Sequence, residues 1–268
     1  MKKLLWIASS LLLAVLLYAC SSVALTGRKQ VLLYSDSEIM SLSQESYKDF
    51  VSTAKLSTDA ALTKRVNTVC SNLITALENY FAKTGQTSYM QGLKWKIDLV
   101  QSDEINAFCL PSGNIVVYDG LAKFVDNDDQ LAAVVGHEIS HAIAKHSNER
   151  LSRQSLTETA QKVAVSAAQQ SGKVTSQQLS VFNVALGLGS QYGIILPFSR
   201  KQEYEADHIG LIIMAMAGYD IEQAPKLWEK MAQNGQQVPE FMSTHPSDAN
   251  RIKNLNKYMD EARSYAEQ

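Results

Sequence analysis

Two histidines and a glutamate stand at a spacing that can build a metal-dependent hydrolase. His137-Glu138-Ile139-Ser140-His141 matches H-E-x-x-H. Four residues is just over one helical turn, so both imidazoles leave the same face and can share one Zn2+. Glu138, beside the first His, can reach a metal-bound water as general base. Leu131, Val134 and Val135 supply an apolar face that would seat such a helix. An ordinary exposed helix is the alternative, but imidazoles on the core side of an apolar helix need polar partners.

A catalytic zinc usually has three protein ligands and an open position for water. No Gly or His follows at the H-E-x-x-H-x-x-G-x-x-H spacing. His146, five residues past His141, faces away from the pair if the helix continues unbroken. Downstream, Glu203-Tyr204-Glu205-Ala206-Asp207 places carboxylates on another helical stretch. Glu203 and Asp207 are one turn apart, so one can bind the metal while the other hydrogen-bonds a ligand imidazole. Standing alone, the stretch would read as a solvated acidic face. Beside H-E-x-x-H it offers the best candidates for a third ligand.

The elements that must position these residues can be read from capping and periodicity. Asn127-Asp128-Asp129 starts a helix expected to run to about His146, and Ser35-Asp36-Ser37-Glu38 starts one expected to reach Ser52. Thr58-Asp59 can cap another, with Leu62, Val66, Val69, Leu73 and Leu77 as its core stripe. Residues 93–100 alternate, Leu93, Trp95, Ile97 and Leu99 against Lys94, Lys96 and Asp98, which predicts a half-buried strand. Two short strands, 107–111 and 114–118, should flank a Ser112-Gly113 turn. The Ser-, Gln- and Ala-rich residues 150–180 suit a helical surface insertion. Residues 181–198 are more apolar, but their polar residues and glycines argue against a membrane span. Three helices follow, near 199–217, 221–233 and 246–266.

The 268 residues are 46% hydrophobic and carry 27 acidic against 25 basic side chains, a net charge of −2. That balance excludes an acidic tail or a basic nucleic-acid surface as the main theme. It leaves ample apolar material for one mostly helical domain. At the start, Lys2 and Lys3 precede an apolar run from Leu4 to Leu17, then Ala19-Cys20. A charged start, a short apolar stretch and a small residue before a cut describe a secretory signal peptide, 1–19. Leu17-Tyr18-Ala19-Cys20 resembles the lipobox of bacterial lipoproteins, which implies acylation of Cys20; a simple N-terminal membrane anchor is the alternative. Residues 20–35 then form a flexible, lipid-anchored lead, and 36–268 the folded domain. Cys70 and Cys109 can form one disulfide in an oxidising compartment, or each can be a small buried hydrophobe.

The ordered set of motifs carries a family resemblance. His137-Glu138-x-x-His141, followed by Arg200-Lys201-Gln202-Glu203-Tyr204-Glu205-Ala206-Asp207, resembles the M48 metallopeptidases, especially their bacterial lipoprotein and Oma1-like branch. The likeness extends to Asn106-Ala107-Phe108, to Gly113 with Val116, Tyr118, Gly120 and Leu121, and to Ser243-Thr244-His245-Pro246 with Arg251. It implies an α+β, predominantly helical zincin fold of the minigluzincin type, with a small sheet whose edge strand faces the active-site cleft. It also implies Glu203 as third zinc ligand and Asp207 as its supporting acid. The strand ending the 106–118 segment would be the edge that pairs with substrate backbone, with Asn106, Ala107 and Gly113 as binding residues. His245 would approach the metal, either stabilising the oxyanion or capping zinc in a resting state. Arg251 would pair with Asp207 or another site carboxylate.

Together these readings predict a tethered endopeptidase with one Zn2+ per chain, taking protein or peptide substrates. Its expected place is the bacterial envelope, lipid-anchored on the outer membrane and facing the periplasm. A non-catalytic chaperone or assembly scaffold is the rival class, and the intact Glu138 argues against it.

Overall fold

The computed structural model describes residues 20–170, 175, 196–234, 245 and 249–266. The helix starts follow the capping residues. Helix α1 (Asp36–Thr53) opens on Ser35, whose hydroxyl accepts from the Glu38 N–H while Glu38 accepts from the Ser35 N–H, a complete capping box. Helix α2 (Ala60–Lys83) opens on Asp59, which accepts from Leu62 N–H. Its stripe of Val66, Val69, Leu73 and Leu77 is fully buried, joined by Cys70 and Phe81. Asn127 caps α4 (Asp128–Ile143), with Asp128 and Asp129 in its first turn, where acids suit the helix dipole.

The sheet differs from the simplest reading. Strands β3 (Lys96–Val100), β4 (Ala107–Cys109) and β5 (Asn114–Tyr118) lie in the order β3-β5-β4. The strand that ends the 106–118 segment, β5, is therefore central, parallel to β3 and antiparallel to β4. The edges are β3 and β4; residues 55–57 bond the end of β3, whereas β4 has no further strand partner among the described residues. Parallel pairing joins segments distant in sequence, which local alternation cannot reveal. Asp98, expected on the polar face, is buried because α1 covers that side and Tyr47 donates its hydroxyl to the Asp98 carboxylate. Gly113 turns the chain between β4 and β5 at a φ of +90°, and a Cβ there would meet the Lys94 backbone at 3.1 Å.

Two further departures set up the site. The helix expected to reach His146 ends at Ile143, because Lys145 takes a left-handed φ of 56° and its N–H closes onto the Ala142 carbonyl. Asp36 holds the Lys145 ammonium at 2.7 Å. Helix α5 (His146–Gln170) then starts in a new direction. The lead from 20 to 35 is not a loose tether but contains an antiparallel hairpin, β1 (Cys20–Ser22) with β2 (Lys29–Val31). Val23 and Ala24 are buried in the main core, and that burial docks the hairpin.

Short α3 (Asp119–Phe124) follows β5, and α6 (Leu196–Met216), α7 (Gln223–Gln233) and α8 (Ala249–Tyr265) supply the three expected late helices. Most of residues 181–198 lie outside the described part, as does the C-terminal end of the insertion read at 150–180. Helices α4 and α6 form the central packing pair and cross where Gly136 meets Gly210. Among the described residues no helix is long and apolar enough to cross a membrane.

Candidate metal centre

The close crossing of α4 and α6 puts His137 and His141 opposite Glu203. A Cβ on Gly210 would lie 3.1 Å from the His137 backbone nitrogen, so glycine at this crossing lets the two helices approach closely. Glu203 Oε2 lies 3.3 Å from His137 Nε2, and Oε1 lies 3.5 Å from His141 Nε2. The two imidazole Nε2 atoms are 3.1 Å apart. His245 brings Nδ1 to 3.2 Å from His137 Nε2 and 3.0 Å from Glu203 Oε2. One ligand atom from each of these four residues lies within 4.8 Å of the other three. All four residues converge, as the spacing and the resemblance implied.

The donor set fits zinc. Three imidazoles and a carboxylate are borderline ligands of the kind zinc takes, and the histidine nitrogens face one another as lone-pair donors around a common point. Glu138 is buried beside them; its Oε1 accepts no hydrogen bond from a described residue and lies 3.5 Å from His245 Nε2. A buried carboxylate oxygen with its hydrogen-bonding capacity unused at such a point suits a general base.

Asp207 stands behind His137. Its Oδ1 is 2.9 Å from His137 Nδ1, so that nitrogen carries the proton and leaves Nε2 free for metal. Arg251 locks the carboxylate through two bonds, Nε to Oδ2 at 2.8 Å and Nη2 to Oδ1 at 2.6 Å. The guanidinium is fully buried and lies 3.6 Å over the Trp228 ring, which itself packs edge-on against His137. Burial opposes the Asp207 charge, but Arg251 and His137 overcome it and hold the carboxyl below its ordinary range. Glu203 is likewise held low against its burial by His141, His137 and His245. Burial pulls His137 down, as does Arg251, yet Asp207 and Glu203 prevail and raise it to about 9, so a metal that takes Nε2 would displace the proton that Glu203 favours there.

His146 is the residue that sequence reasoning misplaced. The turn at Lys145 swings it back, and its Nδ1 lies 2.8 Å from His141 Nδ1. Its Nε2 lies 3.0 Å from Glu205 Oε2. Thus Glu203 and Glu205, on different sides of α6, serve different histidines. Neither Trp228 nor Arg28 carries a local sequence signal that ties it to the motif.

The sheet edge runs beside the base. Bonds from Tyr118 N–H to Asn106 and from Leu110 N–H to Asn114 set the β4 register, which turns the backbone groups of Ala107 and Cys109 outward. No described strand pairs with that edge. The Ala107 N–H is met by the side chain of Asn106. Gly113 has its carbonyl taken by Lys96 N–H, which makes it a turn residue of the hairpin. Desolvation raises the pKa of the Cys109 thiol, and the neighbouring Glu138 charge adds to the rise. Cys70 and Cys109 are free thiols, so the candidate disulfide is not formed. Cys70 is fully buried in the core, where its thiol is pushed up to about 12 by desolvation.

An H-E-x-x-H helix facing a glutamate from a second helix, beside a small mixed sheet, defines a zincin-type metallopeptidase centre. The chain belongs to Peptidase family M48, which it matches over residues 71–259. It is 38% identical over 178 residues to the mitochondrial metalloendopeptidase OMA1 of Schizosaccharomyces pombe, covering 65% of this chain and 50% of that protein. It is 30% identical over 246 residues to human metalloendopeptidase OMA1, covering 89% of this chain and 45% of that protein. The β-barrel assembly-enhancing protease of Escherichia coli is 30% identical over 164 residues, covering 58% and 32%. The chain thus spans half or less of these relatives' own lengths.

Proposed function

We propose that this chain is a zinc endopeptidase, tethered to the bacterial envelope by a lipid on Cys20, that cleaves unfolded or misassembled proteins. The observation that carries the reading is Glu138, buried with an Oε1 that accepts no hydrogen bond from a described residue, beside the point where His137, His141, Glu203 and His245 converge. Zinc held by His137, His141 and Glu203 would polarise the scissile carbonyl and acidify the attacking water. Glu138 takes that water's proton and hands it to the leaving amine. Asp207 and Arg251 fix the tautomer and angle of His137. The outward Ala107 carbonyl and the outward Cys109 N–H and carbonyl on β4 pair with an extended peptide, and the Asn106 side chain must release the Ala107 N–H for it to join them. Such pairing reads backbone more than side chains, which suits unfolded substrates. His245, with Nδ1 among the four converging ligand atoms, would join the metal's ligands in the resting enzyme and leave when substrate binds.

The leader supports an exported bacterial protein over a mitochondrial one. Lys2 and Lys3, the apolar run and Ala19-Cys20 form one continuous export and acylation signal. Similarity to the β-barrel assembly-enhancing protease of Escherichia coli supports substrates among envelope proteins that fail to assemble. The rival reading, a non-catalytic scaffold, has no use for a general base buried beside three ligands.

Metal analysis and cleavage of an unfolded casein test the proposal together. One zinc per chain is expected, with hydrolysis that a chelator abolishes and added zinc restores. A zinc-loaded chain that cleaves nothing would move the function to the scaffold class.

A further inference from the structure

Among the described residues His141, unlike His137, has no carboxylate directly behind it. Its outer nitrogen meets another imidazole, and from there a chain of polar groups leads out of the α4–α6 pair to the N-terminal hairpin. We propose that Arg28 and Thr26, on the loop between β1 and β2, position the zinc ligand His141 through Glu205 and His146, so that the hairpin is part of the metal centre. The inference rests on reading His137, His141 and Glu203 as the zinc ligands.

Proton counting leaves one arrangement for the chain. A His141 that offers Nε2 to metal must carry its proton on Nδ1. That N–H points at His146 Nδ1, 2.8 Å away, which must therefore accept. His146 then carries its own proton on Nε2 and donates it to Glu205 Oε2 at 3.0 Å. Glu205 is held as a carboxylate by two more donors, Thr26 Oγ1 to Oε1 at 2.6 Å and Arg28 Nε to Oε2 at 2.8 Å. Each group has one consistent role, and a neutral ligand imidazole is backed by an anion two bonds further out. The arrangement matches that behind His137, where Asp207 backs the ring and Arg251 fixes Asp207, with one imidazole inserted.

Arg28 is itself fixed. Its two terminal nitrogens grip Glu149 of α5 at 2.8 and 2.7 Å. Gln202 of α6 donates to the same carboxylate at 3.1 Å and to the His146 carbonyl at 3.2 Å. His146, Glu149 and Gln202 are buried, whereas Arg28 is one-third exposed. A docking arginine with no further task would need only Glu149; its Nε is spent on the carboxylate that His146 also uses. Hairpin, α5 and α6 therefore meet at the support of a single ligand.

The test uses the purified full chain and zinc itself, with affinity measured by competition against a chromophoric chelator. Circular dichroism checks that each variant is folded. Arg28→Met and His146→Phe should each weaken zinc binding by about 10- to 100-fold, as loss of a ligand's hydrogen-bond partner usually does. His146→Gln should recover most of the affinity, because its amide can accept from His141 and donate to Glu205. Tyr34→Phe loosens the same lead from Ser155 without touching the relay, and should leave affinity unchanged. The cobalt-loaded protein should show a shifted ligand-field spectrum in Arg28→Met and not in Tyr34→Phe. Thr26→Val, which removes one bond and strands no charge, keeps the test available if Arg28→Met does not fold. Wild-type zinc affinity in Arg28→Met and Thr26→Val, or His146→Gln as weak as His146→Phe, would overturn the relay alone. A wild-type chain that takes up no zinc would overturn the ligand assignment and the relay with it.

Discussion

His245 Nδ1 lies 3.0 Å from Glu203 Oε2, inside the ring of ligand atoms rather than beyond it. If zinc were held by His137, His141 and Glu203, an imidazole at that distance could compete with water for it. His245→Ala should therefore raise kcat on an unfolded protein, by about three- to tenfold if the capped state is preferred by about 1 kcal/mol. Single-turnover cleavage measures it. A fall of about 10²–10³ would instead make His245 an oxyanion donor.

Glu138 is the only member of the H-E-x-x-H triplet outside the ligand ring, which separates chemistry from metal binding. Glu138→Gln should keep one zinc per chain and lower kcat by about 10²–10⁴, the usual contribution of a positioned base. Near-normal turnover with full zinc would assign the base elsewhere.

What the sequence made legible was the part governed by helical spacing. His137 and His141 share a face because four residues make one turn, and Glu203 and Asp207 for the same reason both reach His137, one at Nε2 and the other at Nδ1. The resemblance named Glu203 as the ligand, and its carboxylate does face both imidazoles. His146 was illegible because its position depends on a helix break at Lys145, a residue type that rarely takes positive φ and so gives no signal. The central place of β5 was illegible for another reason: its parallel partner β3 lies outside the local hairpin. Arg28 stands 121 residues from Glu149 and 177 from Glu205, and no periodicity connects them.

Arg251 offers a stability test independent of turnover. Its guanidinium is fully buried against Asp207 and Trp228. Arg251→Met keeps much of the volume but strands the Asp207 carboxylate, and should cost about 3–5 kcal/mol. Denaturant unfolding of the zinc-free protein measures it. A loss below about 1 kcal/mol would mean that Asp207 finds another partner or binds a proton.

Cys20 opens β1, the first described strand, directly after the apolar leader. If the leader is cut and Cys20 acylated, Cys20→Ala should block maturation or release the protein from membranes. Fractionation of expressing cells, with the mass of the processed N-terminus, reads both outcomes. A mutant processed and anchored as before would reject lipidation.

The last prediction concerns the crossing that brings the ligands together. Gly210→Ala adds a methyl 3.1 Å from His137 N, 3.2 Å from Gly136 C and 3.3 Å from His137 Cα, all of them backbone atoms that cannot rotate away. Alanine favours the helix by about 1 kcal/mol over glycine, which offsets part of the strain. Overpacking of this kind costs about 1–3 kcal/mol, so the net stability change should be a small loss. Metal binding should suffer more, because the helices that must part carry His137 and His141 on one side and Glu203 on the other. The expected signature is therefore a drop in zinc affinity larger than the drop in zinc-free stability. Titration of zinc alongside denaturant unfolding compares the two. Equal losses would mean that the ligand geometry follows the helices as they shift, and that the glycine contact serves packing alone.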